Sequence, residues 1–464
     1  MTSRLRTSRA AARHRPLRSI VASAGLVMSA AAAGLACPSA AAAALPVVPT
    51  WYLATQPSHV FSAAPAVTCI GGSGDCVAIG PASSCAKLVG VVCVAERYFN
   101  VAEYSRDRGA SWEAVPVPSV QGGLFIDMAS VSCAGAGKGR TDCAAWAMLT
   151  DEVGAAPTEQ AAYFSGDGGA TWSVASPPAP VGQDVWQAPL VACYELNLRV
   201  DCVGAPNSQG AEYSTDGGAS WASSSYHQSP SFGDLAAQDV ACALSQGHMD
   251  CVAVGYVFDT ITGTPVDTIW YSTDGGMIWA PSSLTQREGE LNAASCVAVK
   301  AHVRCTALGS ETYKGITANV ALYSVDGGKS WSSSAFPAHT LLPSPWGNVS
   351  CATSGAQVDC AAWGSTLLFS ANGGATWLRA TGPKKAGGDI VCLSSSPGPS
   401  CYIVGARAAY SSDGGMAWSA SKVAKGFAVQ DSMLRDNVAC ASPSQCVAAG
   451  TRQLFTTNRP ISAG

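Results

Sequence analysis

Ser214-Thr215-Asp216-Gly217-Gly218-Ala219-Ser220-Trp221 decides the fold, because its skeleton, Ser-x-Asp-x-Gly-x-x-Trp, recurs throughout the sequence. The skeleton returns at Ser105-Asp107-Gly109-Trp112, Ser165-Asp167-Gly169-Trp172, Ser272-Asp274-Gly276-Trp279, Ser324-Asp326-Gly328-Trp331 and Ser411-Asp413-Gly415-Trp418. Ser370-Asn372-Gly374-Trp377 keeps it with Asn in place of Asp. Copies roughly 40–60 residues apart mark a repeat architecture. Within each copy, Ser and Asp side chains accept hydrogen bonds from nearby backbone N–H groups. Gly supplies the positive φ at which a hairpin reverses. Trp brings a large apolar ring back onto the sheet. Each Asp is therefore expected to staple a turn rather than to serve as a separate ligand site.

The segments around each turn read as four strands. In the fifth unit these are Leu291–Val299, Arg304–Leu308, Asn319–Ser324 and Lys329–Ser334, here termed A to D. Short or alternating apolar runs bounded by Gly, Ser and Pro fit strands, and four-stranded sheets repeated radially make a β-propeller. After the seventh turn the chain supplies strands A, B and C at Val438–Cys440, Gln445–Gly450 and Gln453–Thr456, then ends. Near the start, Thr50–Pro57 resembles an orphan strand D, echoing Thr171–Pro177. Pairing the two ends in one sheet closes the ring and predicts eight blades, with seven as the alternative.

The repeated motif resembles the Asp-box, or BNR, repeats of sialidases, sortilin-like ectodomains and photosystem-II-assembly-factor-like propellers. This resemblance covers nearly the whole chain beyond its N-terminal segment. It implies an all-β propeller, with the box residues Asp107, Asp167, Asp216, Asp274, Asp326, Asn372 and Asp413 in structural roles. A sialidase would also carry an Arg-Ile-Pro string, an arginine triad and a Tyr–Glu pair. No Arg-Ile-Pro occurs here, so the resemblance speaks for the fold and not for that activity.

Of 19 Cys, 18 form nine local pairs, 69/76, 85/93, 133/143, 193/202, 242/251, 296/305, 351/360, 392/401 and 440/446, each expected to bridge strands A and B or, for 85/93, to staple an insertion. None has CxxC spacing, so neither a zinc centre nor any other metal or cofactor is expected. Local pairing fits an oxidising compartment. Arg4 to Arg18 followed by an apolar run to Ala44 reads as a cleaved signal peptide, residues 1–44, leaving one propeller domain at 45–464. Lipidation at Cys37 is the competing expectation. The mature protein is thus expected to be secreted or extracytoplasmic, without a transmembrane segment, and monomeric. A net charge of −4 with 12% charged residues and no basic cluster argues against nucleic acid.

Strand alternation puts the A–B hairpins and Ser-x-Asp turns on one face and the B–C and D–A connections on the other. The second face is more variable, and loops on a rigid scaffold are where binding resides. Long B–C segments at Pro81–Asn100, Leu149–Gln160, Tyr256–Thr268 and Ser310–Thr317, with the D–A connections, nominate Phe125, Trp186, Tyr226, Tyr256, Phe258, Tyr313 and Trp346 as ligand contacts. His227, Phe232 and His339 lie in the same connections. The same aromatics would equally serve to cover sheet edges. Asp75, Asp142, Asp201, Asp250 and Asp359 precede a second Cys and are expected to cap turns, with a cation-binding ring as the alternative. No GxSxG, HExxH or phosphate-loop motif is present. The predicted function is a non-catalytic recognition or scaffold module for a glycan or protein. The alternative is a sialidase-like or other glycoside hydrolase using two carboxylates among Asp127, Asp151, Glu152, Asp184, Asp259, Asp267, Glu288, Glu290 and Glu311.

Overall fold

A computed structural model describes residues 48–458 except 57–59, 63–64, 90–91, 119, 121–123, 138, 151–158, 177–189, 205–210, 227–235, 259–262, 285–287, 314–315, 338–347, 365, 384–386, 397, 428, 430–436 and 451–452. The predicted leader with Cys37 lies outside the described residues, as do Trp186, His227, Phe232, His339, Trp346, Asp151, Glu152, Asp184 and Asp259. Among the described residues all regular structure is strand, and the fold is an all-β propeller of antiparallel sheets. No helix there is long and apolar enough to cross a membrane.

Among the described residues the strands form eight sheets. Sheet 1 comprises Ala66–Cys69, Cys76–Val89, Val92–Ser105 and Glu113–Pro116, with Val60–Phe61 also paired to Cys76–Val89. Sheet 2 comprises Leu124–Gly135, Thr141–Thr150, Glu159–Ser165 and Ser173–Val174. Sheet 3 is Val191–Leu196, Arg199–Gly204, Glu212–Ser214 and Ala222–Ser223. Sheet 4 is Ala236–Ser245, His248–Phe258, Pro265–Ser272 and Ile278–Pro281. Sheet 5 is Gly289–Val299, His302–Tyr313, Ile316–Ser324 and Ser332–Ser333. Sheet 6 is Asn348–Ser354, Gln357–Trp363, Leu367–Ser370 and Leu378–Arg379, and sheet 7 is Gly387–Leu393, Ser400–Ser411 and Ser419–Ala420.

Sheet 8 joins Val438–Ser442, Gln445–Ala449 and Leu454–Thr456 to Thr50–Leu53, the strand expected from the N-terminus. Tyr52 stands opposite Thr456 and Leu53 opposite Phe455. Trp51 is fully buried there and meets Tyr402 of sheet 7 edge-on at 6.1 Å.

Apolar packing runs from sheet to sheet. Val77 and Ile79 of sheet 1 pack with Val131, Ala145 and Tyr163 of sheet 2, and each later sheet repeats the arrangement with its successor. The last two clusters join Tyr402 to Val438 and Phe455, then Val447 and Leu454 to Val67, Ala78 and Trp112. Sheet 8 thereby packs back on sheet 1.

Polar side chains bind the innermost strands of neighbouring sheets. Ser130 and Ser132 hydroxyls accept the Val191 and Cys193 N–H groups at 3.2 and 2.9 Å. Asp239 accepts the Ala294 N–H at 2.7 Å, and the Ser295 and Ser350 hydroxyls accept Cys351 and Cys392 N–H at 3.0 and 2.9 Å. A strand edge left unpaired would be costly; these side chains supply its acceptors.

The Ser-x-Asp turns behave as their chemistry predicts. In sheet 3, the Ser214 hydroxyl donates to Asp216 Oδ1 at 2.8 Å and accepts the Gly218 N–H at 2.8 Å. Asp216 in turn accepts the Ser220 N–H at 2.9 Å, and the Trp221 indole donates to Gly218 O at 3.0 Å. Gly218 has φ +96°, and a Cβ there would lie 2.5 Å from Ala144 Cβ in sheet 2, so no other residue fits. The turns also have a second role that their sequence did not reveal. The strand leaving one sheet hydrogen-bonds to the next sheet's turn, as where Ser176 N–H donates to Ala219 O at 3.0 Å. Thr55, Ser283, Ala335 and Thr381 make the same parallel bridge to later turns.

Eight of the nine predicted disulfides join directly opposed cysteines, with Cα atoms 4.0–4.2 Å apart. Cys85 is also disulfide-bonded, while the Cys93 side chain lies outside the described residues.

Several element bounds differ from expectation. Pro81–Asn100 is not a loop with an insertion: its residues continue strands B and C as one long hairpin, with Pro81 opposite Asn100. Sheet 5 does likewise, pairing as far as Tyr313 with Ile316, while its strand D shrinks to Ser332–Ser333. Cross-strand pairing satisfied backbone that turn-rich composition had marked as loop.

Candidate ligand face

The hairpins of sheets 4 and 5 extend on the face opposite the Ser-x-Asp turns. In sheet 4, Tyr256 pairs with Asp267, and Phe258 pairs with Pro265 at the hairpin's end. Their rings meet edge-to-face, centroids 5.3 Å apart at 81°. Tyr256 is half-buried, and burial with the nearby Glu290 carboxylate raises its phenol pKa. Phe258 is 53% exposed, the one aromatic side chain classed as exposed among the described residues.

An acidic margin borders this pair. Val266 bridges to Glu288, so the sheet 4 hairpin touches the entry to sheet 5, where Glu290 stands opposite Ser310 and Gly289 opposite Glu311. Asp267 is buried at 3% exposure, and its Oδ1 would lie 2.8 Å from a Cβ at position 289. Glycine at 289 thus admits close approach of the two sheets. A Gly opening an otherwise regular strand was the available sequence signal for that approach.

The other nominated residues separate. Tyr226 is not in a free connection: Ser225–Tyr226 adds a parallel edge to Ile278–Pro281, and its ring meets Trp270 edge-on at 5.5 Å. Its hydroxyl also takes part in a hydrogen bond with the Ala211 N–H. The main chains of Phe125 and Tyr313 lie in strands, opposite Leu149 and Ile316, and their side chains lie outside the described residues. Trp186 and Trp346 fall wholly outside. The structure therefore brings together Tyr256 and Phe258, and gives Tyr226 a packing role.

In fold, the chain is similar to solved β-propellers. YCF48 bound to a D1 peptide aligns over 88% of this chain and 98% of its own, at 14% identity and a TM-score of 0.40. The xyloglucanase of Xanthomonas campestris aligns over 86% of this chain and 66% of its own, at 15% identity and a TM-score of 0.38. An α-L-arabinanase of Penicillium chrysogenum aligns over 74% and 97%, at 12% identity and a TM-score of 0.37. No protein-family model and no curated protein sequence matches the chain.

On the turn face, the hairpin aspartates engage neighbouring side chains. Arg140 and Arg199 pair with Asp142 and Asp201 at 3.0 and 2.9 Å, and Gln357 donates to Asp359 at 2.8 Å. Asp142 and Asp359 also press on the next sheet: Cβ atoms at Gly217 and Gly414 would each lie 2.7 Å from them. Burial raises the pKa of Asp142, Asp201, Asp250 and Asp359 despite these partners. Among the described residues no group of three or more His, Cys, Asp or Glu is placed to hold a metal ion. The carboxylates lie one per sheet interface, each engaged locally.

Proposed function

We propose that this chain is an exported, non-catalytic recognition module that seats a glycan or protein ligand on the face opposite the Ser-x-Asp turns, centred on Tyr256 and Phe258. The exposed Phe258 ring carries this reading. Every other described aromatic is at least half-buried, so leaving this one solvated forgoes the free energy its burial would provide. A ring fixed on a paired strand loses little conformational freedom when it stacks on a sugar face or an apolar side chain. Tyr256 buttresses it from the side, and Glu288, Glu290 and Glu311 supply hydrogen-bond acceptors nearby. Eight local disulfides and the leader-like N-terminus support an extracytoplasmic setting.

Purified mature chain, Leu45–Gly464, is to be incubated with a panel of polysaccharides and immobilised envelope proteins, scoring retention and product release separately. Saturable retention that Phe258→Ala abolishes, with the thermal midpoint unchanged, is the expected result. Product release abolished by Glu290→Gln would replace this reading with a glycoside hydrolase. Retention indifferent to Phe258→Ala would move the ligand elsewhere.

A further inference from the structure

The repeats hold a departure on the opposite, turn-bearing face. In sheets 2, 3, 4 and 6 the residue before the second cysteine is Asp, preceded two positions earlier by Arg140, Arg199, His248 or Gln357. Each carboxylate answers that partner, by ion pair, hydrogen bond or, for His248 and Asp250, by proximity of charge. Sheets 7 and 8 carry the uncharged Ser400 and Gln445 at that place, and sheet 5 goes further. His302 is followed two residues later by Arg304, so the carboxylate is replaced by a cation.

The next turn changes with it. Arg304 reaches the glycine pair of sheet 6, where a Cβ at Gly373 would lie 3.6 Å from its Cδ. That turn is the one built with Asn372 instead of Asp. Two negative charges that sheets 2, 3, 4 and 6 share with the turns of their successors are therefore missing at one place, and Lys300 adds a further positive charge on the same hairpin. Among the described residues none gives Lys300, His302 or Arg304 a side-chain ion pair or hydrogen bond. Asp326, the adjoining acid, is occupied by the Ser324 hydroxyl and by the Ser330 N–H and hydroxyl.

A cavity of about 570 Å³ lies here, lined by Val299, Lys300, His302, Arg304, Val325 and Ala356. That volume falls within the range of small-molecule sites. We propose that this cleft binds a small carboxylate-bearing molecule, whose carboxylates supply the negative charge that the sister hairpins carry in their own Asp side chains. The guanidinium of Arg304 offers paired donors to one carboxylate. Lys300 and His302 stand to receive a second, and Val299 and Val325 form the apolar wall. The site is separate from the ligand face at Phe258 and does not depend on it.

The test is calorimetric titration of the full exported chain with citrate, alongside sulfate and inorganic phosphate, at low salt. Saturable citrate binding is expected, weakened about tenfold or more by Arg304→Asp, which removes the guanidinium and restores the acid of the sister hairpins. Lys300→Asn, a substitution suited to that residue's φ of +56°, is expected to weaken it by a smaller factor. Lys425→Asp, a charge change at an exposed residue of another segment, is expected to leave it unchanged. No citrate binding, equal loss in Lys425→Asp and Arg304→Asp, or binding of sulfate without citrate would each overturn the proposal.

Discussion

Asp389 holds Asn437 across a sheet boundary: its Oδ2 accepts the Asn437 N–H at 2.9 Å and the neighbouring Val438 N–H at 3.2 Å. Its other oxygen accepts the Ile390 N–H at 2.9 Å and a hydrogen bond from the Asn348 side chain. One carboxylate thus ties sheets 6, 7 and 8 together at their inner strands. Asp389→Ala leaves buried donors without an acceptor, and a loss of about 2–4 kcal/mol is expected. A denaturant midpoint measured at constant m-value checks it. A loss under 0.5 kcal/mol would mean that water replaces the carboxylate there.

The turn aspartates should tolerate Asn but not Ala. Asn372 already accepts the Thr376 N–H at 2.9 Å, the same bond Asp216 makes to Ser220. Asp216→Asn is therefore expected to be near neutral, and Asp216→Ala to cost about 1–2 kcal/mol. Burial pushes the Asp216 carboxyl up, but hydrogen bonds from Ser220 and Ser214 outweigh it and leave the pKa lowered. A lowered native pKa means the contribution is present above the ordinary carboxyl value and fades as pH falls through the native one. The gap between wild type and Asp216→Ala should accordingly narrow in acid, as a pH series of thermal midpoints would show.

Glu212 predicts a dependence of opposite sign. It lies opposite Gly204, whose Cβ position would be 3.2 Å from Trp221 and 3.3 Å from Trp146, so the carboxyl shares that aromatic interface. Its Oε2 has no hydrogen-bond partner among the described residues. Burial alone pushes its pKa from 4.5 to about 8. The protonated form is favoured in the fold, so its contribution is complete below pH 4.5 and is lost progressively up to about pH 8. Glu212→Gln should flatten that slope and stabilise the protein above pH 8, by up to about 4 kcal/mol at the limit. A wild-type midpoint that stays level from pH 5 to pH 8.5 while Glu212→Gln gains nothing would reject this account.

The parts of this molecule that depend on short spacing were readable in advance. The seven turns, eight of the cysteine pairs and the partnership of Thr50–Leu53 with Leu454–Thr456 each follow from a repeated local pattern. Contacts between sheets were not readable, because nothing near Asp389 in the chain distinguishes an acceptor for Asn437 from a solvated acid. Tyr226 sits in a polar segment and Phe258 at the end of an apolar one, yet packing on Trp270 half-buries the first while the second stays exposed. Glu212 had a usable sign. The position two before the turn Ser is Tyr163, Leu322 or Leu368 in sheets 2, 5 and 6, all buried, while sheets 1 and 3 place the buried acids Glu103 and Glu212 there, so both depart from the apolar pattern. Arg304 had one too, in the repeat's own alignment.

Sheet 8 gives the molecule an assembly order. Tyr52 lies in the first described strand, yet its partner Thr456 comes more than 400 residues later. Until then Trp51 has no cover from Phe455, and the strand waits as an exposed edge open to other chains. Closure is therefore a length check performed by the fold itself. A chain truncated before Leu454 lacks the strand that pairs with Thr50–Leu53, so its two ends stay unjoined and the sheets form an open arc.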